Sequence, residues 1–151
     1  MTEAITFKYK STLAKQLAQP GGRTIADAVR LADRGLETHR ESGMLAVAGT
    51  LGKLEEVCRA REAGTGQAVY DLSAALLDMA GFFETGPLYS AAYSLCEMAD
   101  LMLVSGNWDW PSVEVHVRAL RLILADGCSE GETSAALLAG LKTLVARARP
   151  A

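Results

Sequence analysis

Proline is scarce in this chain, 4 residues in 151, and aromatic side chains make up only 6%. Few prolines leave room for long helices, and a mostly aliphatic apolar half favours helix over sheet. Near-strict apolar–polar alternation occurs once, at residues 5–9, Ile-Thr-Phe-Lys-Tyr, which argues against a sheet-based fold. No apolar run reaches the roughly 18 residues of a membrane-spanning helix. The opening MTEAITFKYK lacks the apolar centre of a secretory signal, so the expected location is the cytoplasm. Cysteine is sparse and odd in number: Cys58, Cys96 and Cys128. There is no CxxC and no zinc-type Cys/His spacing. All three are expected as reduced thiols, with Cys128, at a helix junction, the most exposed. Neither of the 2 histidines lies at the spacing from a glutamate that a di-iron bundle needs. No metal and no cofactor is expected.

Basic residues are missing from a long stretch. Between Glu62 and His116 there is no lysine or arginine, against eight carboxylates. Such a surface repels nucleic acid and attracts a basic partner. Residues 1–23 are opposite in character, with Lys8, Lys10, Lys15 and Arg23 against Glu3. This basic arm, with a short helix from Ser11 to Ala18, is expected to precede a single helical domain over residues 24–151. Its residues 5–9 suit either an ordered or frayed arm, or a tether for a neighbouring subunit or protein.

What remains is helical periodicity. Half the residues are hydrophobic, enough for one core of ordinary size. Thr24 with Asp27 forms an imperfect capping box. From there Ile25, Val29, Ala32, Leu36, His39, Gly43, Val47, Thr50, Leu54 and Val57 recur at steps of three or four, a coiled-coil-like seam. Gly35, Gly43, Gly49 and Gly52 interrupt it. Either they admit another helix closely, the preferred reading, or Gly43 divides the element. His39 is expected as a buried polar seam residue that fixes register, and Glu55 with Arg59 as a solvated i,i+4 pair.

The turn Gly64-Thr65-Gly66 follows a helix, so it is a poor nucleotide-binding signal. The next helix, from about Gln67 to Phe83, should bury Val69, Leu72, Leu76, Met79, Ala80 and Phe83. Its Asp71 and Asp78 read as solvated. After Pro87 a further helix should bury Leu88, Ala91, Ala92, Leu95, Met98, Ala99, Met102 and Leu103. Glu97 and Asp100 on its outer face are too few for a metal site. Phe82, Phe83, Tyr89 and Tyr93 cluster around this turn.

The sharpest local signal is Trp108-Asp109-Trp110-Pro111. Asp109 is the expected N-cap and Pro111 falls in the first turn. The helix from there to Leu124 is apolar over more than half its circumference. It is expected to be either the centre of the bundle or half of a homodimer interface. His116 lies in its apolar arc. A phosphoacceptor must face water, and phosphotransfer domains need a small residue four positions on, where Leu120 stands. His116 therefore reads as a core histidine, with a phosphoacceptor as the alternative. Ser129 with Glu132 looks like a second capping box, starting a last helix that turns Leu137, Leu138, Leu141, Leu144 and Val145 inward.

These features define an all-α antiparallel bundle of five or six helices with a long N-terminal helix, expected as a homodimer. No catalytic residue stands out, so a non-enzymatic interaction protein is expected. The partner-binding residues would be Phe82, Tyr89, Tyr93, Trp108 and Trp110. The alternatives are a histidine phosphotransfer-like protein using His116 and a bundle that binds a small molecule or metal.

Through GFFETGPLYSAAYSLCEMAD and NWDWPSVEVHVRALRLIL, the chain resembles CheE, a small helical protein family of some alphaproteobacterial chemotaxis operons. TIADAVRLADRGLETHRE is compatible with it. The resemblance implies an accessory role in chemotaxis, through binding other signalling proteins. It brings no catalytic motif.

Overall fold

The computed structural model describes residues 12–18, 20–62 and 64–149. The alternating residues 5–9, and Ser11 as a cap, lie outside them. Six helices and no strand occur among the described residues. They are α1 (Leu13–Leu17), α2 (Ile25–Ala60), α3 (Thr65–Phe82), α4 (Gly86–Ser105), α5 (Trp110–Ala125) and α6 (Glu132–Ala148). None is long and apolar enough to cross a membrane. The chain forms two compact units, divided inside α2 between Glu37 and Thr38.

In the first unit, α2 opens on the expected box. The Asp27 amide donates to Thr24 Oγ1 at 3.1 Å, and the Thr24 amide to Asp27 Oδ2 at 3.2 Å. This satisfies amides that the helix leaves without internal partners. Ile25, Val29, Leu31 and Leu36 are exposed, Ile25 at 86%.

The second unit is an up-and-down bundle. Consecutive helices run antiparallel, as short connections dictate. Gly43 on α2 lies under the Phe83 ring at the end of α3. Glu55 on α2 receives a two-pronged guanidinium from Arg121 on α5, at 2.9 and 2.6 Å. Arg61, just past α2, pairs with Glu114 near the start of α5. Glu55 thus bonds across to α5; the Arg121 contact holds its pKa down, and the charge of Arg59, expected beside it within α2, adds to this.

The central helix is α4, not the expected α5. It packs against α3, α5 and α6. Leu88, Ala91, Ala92, Leu95, Met98, Ala99 and Met102 are all buried on it, as the periodicity predicts, while Leu103 is only half-buried. The three alanines among them let neighbouring backbones approach while leucine and methionine fill the gaps. On α5, Val113, Val117, Ala119, Leu120 and Ile123 are buried, while Val115 and Leu122 face outward. The buried arc of α5 is therefore narrower than its apolar circumference.

The long helix is continuous through Gly43. Of its four glycines only Gly43 is in close contact, and with an aromatic ring instead of a helix; Gly35, Gly49 and Gly52 face open space. The buried stripe of α2 is Val47, Leu51, Leu54 and Cys58, one position off the expected seam at two of its four places. His39 is exposed, not the buried register-setting residue of the sequence reading.

Helix ends explain the turns. Asp109 caps α5, accepting from the Ser112 amide at 3.4 Å and the Ser112 hydroxyl at 2.5 Å. The cap of α6 is Gly131, two residues beyond the expected Ser129; Ser134 Oγ accepts from the Gly131 amide at 3.0 Å. Ser129 instead donates to the Asp126 carbonyl at 2.7 Å.

Candidate functional site

The α3–α4 turn brings large aromatic side chains to one corner of the second unit. Phe82 is 61% exposed and meets Phe83 edge to face, with ring centres 5.1 Å apart. Phe83 is held in the notch at Gly43, and Arg40 donates to its carbonyl at 3.2 Å. The turn itself has two hydrogen bonds typical of a glycine-terminated helix. Thr85 N donates to the Ala80 carbonyl at 3.2 Å and Glu84 N to the Gly81 carbonyl at 3.3 Å. Glu84 holds the left-handed position, φ 52°, where glycine is favoured. Just beyond, Tyr89 leans over Gly81 and is 43% exposed, and Tyr93, one helical turn on, is 54% exposed. Asp78 and Glu84 are exposed beside this strip.

Trp108 and Trp110 belong to a different place. From Tyr89 to Ser105 the axis of α4 rises about 24 Å, so the tryptophans close the opposite end. Their rings lie 5.5 Å apart. Trp108 covers Gly66 so closely that a Cβ there would overlap its ring. The Arg61 guanidinium stands 5.8 Å from the Trp110 ring centre. Both tryptophans are half-buried and seal the α2–α3 turn against the start of α5. The five aromatic positions singled out from sequence therefore form two separate groups.

His116 is fully buried, with both ring nitrogens engaged. Nδ1 lies 2.8 Å from the Ser112 carbonyl oxygen, and Nε2 lies 3.0 Å from Ser94 Oγ on α4. Burial holds its pKa below the usual histidine value, outweighing the Ser112 contact. The ring is thus a neutral cross-link between α5 and α4, remote from any approaching receiver domain. Burial likewise pushes the Cys58 thiol up to about 11. Cys58 is buried, and Cys96 and Cys128 are half-buried. No cluster of three or more His, Cys, Asp or Glu suited to a metal ion occurs among the described residues. Asp71 and Asp78 are exposed, and Asp71 accepts from Gln67 at 2.8 Å.

Sequence reasoning missed the groove between α4 and α6. It encloses about 410 Å³ and is lined by Tyr93, Ser94, Glu97, Lys142 and Val145, among others. Glu97 meets Arg149 at 2.5 Å along it. The signal was available in outline: Tyr93 and Glu97 share the outer face of α4, while Lys142 and Arg149 lie seven apart on the α6 side.

No protein-family model, curated protein or solved structure matches this chain.

Proposed function

We propose that this chain is a non-enzymatic accessory protein that binds signalling proteins of bacterial chemotaxis in the cytoplasm. The observation that carries the binding role is the exposed strip of Phe82, Tyr89 and Tyr93 flanked by Asp78 and Glu84. Exposed aromatics clustered at one corner mark interaction sites and supply the anchors of protein interfaces. The flanking carboxylates favour a partner segment that is apolar and basic. The chemotaxis context rests on the resemblance carried by residues 81–100 and 107–124. The exposed seam of Ile25, Val29 and Leu36 supports self-association as a homodimer.

Calorimetric titration against a purified chemotaxis kinase and its receiver proteins tests this reading. Saturable binding to at least one of them supports it. Absence of binding to all of them at the highest workable concentration removes the chemotaxis assignment.

A further inference from the structure

The α4–α6 groove plays no part in that reading, apart from sharing Tyr93 at its edge. Its volume, about 410 Å³, lies in the range of small-molecule sites. Leu138, Val145 and the Tyr93 ring give it apolar walls. Three polar features are placed among them, and each constrains what fits.

The first is Ser94. The Ser112 carbonyl can only accept, so the proton of the neutral His116 ring sits on Nδ1 and Nε2 is a bare acceptor. Ser94 must therefore donate its hydroxyl hydrogen to Nε2 across 3.0 Å. Its only free hydrogen-bonding capacity is the remaining lone-pair density on Oγ. Buried His116 thus fixes Ser94 as an acceptor toward the groove, selective for a donor. The second feature is Lys142, which has no carboxylate partner among the described residues. The third is the Arg149–Glu97 pair. Two cations against one carboxylate make the groove attractive to anions, in a chain of net charge −3.

The geometry points to a binding site for a small organic carboxylate with an apolar or aromatic body and a hydroxyl or N–H donor. The carboxylate pairs with Lys142, the body lies against Leu138, Val145 and Tyr93, and the donor reaches Ser94 Oγ. A ligand whose inner group only accepts would face lone pairs with lone pairs. A neutral ligand would forgo the ammonium.

NMR titration of the full chain with para-hydroxyphenylpropanoate, phenylpropanoate and para-ethylphenol tests each requirement. The hydroxy acid is expected to bind about tenfold more tightly than either of the others, the gain expected of one added hydrogen bond or ion pair. Shift changes should centre on Tyr93, Ser94, Lys142, Val145 and the His116 ring nitrogens. Ser94→Ala should erase the preference for the hydroxy acid over phenylpropanoate. Lys142→Ala, at an exposed position with no folding role, should erase the preference for the hydroxy acid over ethylphenol. Equal affinity for the three probes, shifts centred elsewhere, or no shifts at millimolar concentration would overturn the assignment. None of these outcomes bears on the protein-partner reading.

Discussion

Single residues decide where this fold is tight and where it is open. Gly43 and Gly66 each lie beneath an aromatic ring, while Gly49 and Gly52 face open space on the same long helix as Gly43. Alanine at Gly43 or Gly66 should therefore lower stability by about 1–3 kcal/mol, the usual cost of forcing atoms into a packed site. Alanine at Gly49 or Gly52 should raise it by about 0.5–1 kcal/mol through helix propensity alone. Urea denaturation of the four variants measures both signs. The sequence marks Gly43, Gly49 and Gly52 as interruptions of one helical seam and Gly66 only as part of a turn. It could not separate them, because the rings that meet two of them come from distant segments. His116 carries a second prediction. Burial lowers its pKa from the ordinary value of 6.5, so below that pH the unfolded chain binds more protons than the folded one. The contribution of His116 is complete above pH 6.5 and is lost as pH falls. His116→Gln should flatten that part of the stability profile, whatever it costs in absolute stability. An unchanged acid-side slope would show that His116 is not a buried neutral group.

Helix ends and faces set the next scale. The left-handed position that closes α3 is held by Glu84, at φ 52°, against the preference of L-residues. Glu84→Gly should stabilise by about 0.5–1 kcal/mol, the relief of backbone strain being partly offset by a more flexible unfolded chain. Thermal denaturation reads this as a rise in Tm; a fall would mean that the Glu84 side chain holds the turn. Much of this scale was legible beforehand. The capping of α2 by Thr24 and Asp27, the Asp109 cap and the buried face of α4 all follow from local spacing. The start of α6 did not, because Ser129 and Gly131 are both plausible caps, and the box that forms closes on Ser134, where the usual pattern has glutamate or glutamine. The choice of α4 over α5 as the central helix was also hidden. Both have strong apolar faces, and only packing shows that Val115 and Leu122 are left outside. The candidate strip was legible as residue types around one turn, but its separation from Trp108 and Trp110 needed the length of α4.

At the scale of the whole molecule, the core is buried around α4, and two groups stand out among the large apolar side chains exposed in the described residues, which also include Leu45, Val104, Val115 and Leu122. One is the seam on the first part of α2, the other the aromatic corner at the α3–α4 turn. If the seam joins two copies, Ile25→Glu with Val29→Glu should convert a dimer to a monomer in sedimentation equilibrium without loss of helicity. A wild-type chain that is monomeric at high micromolar concentration would refute that part. The aromatic corner bears the larger claim, since the proposed role depends on it. Phe82→Ser with Tyr89→Ser removes two exposed rings while Phe83 stays in its notch, so helicity should hold and Tm should fall only by the loss of the Phe82–Phe83 and Tyr89–Gly81 contacts. The decisive measurement is the affinity of this double variant, against wild type, for whichever chemotaxis signalling protein the wild type binds. A loss of at least about tenfold is expected, as when interface anchors are removed. Equal affinity in a fully folded variant would contradict it.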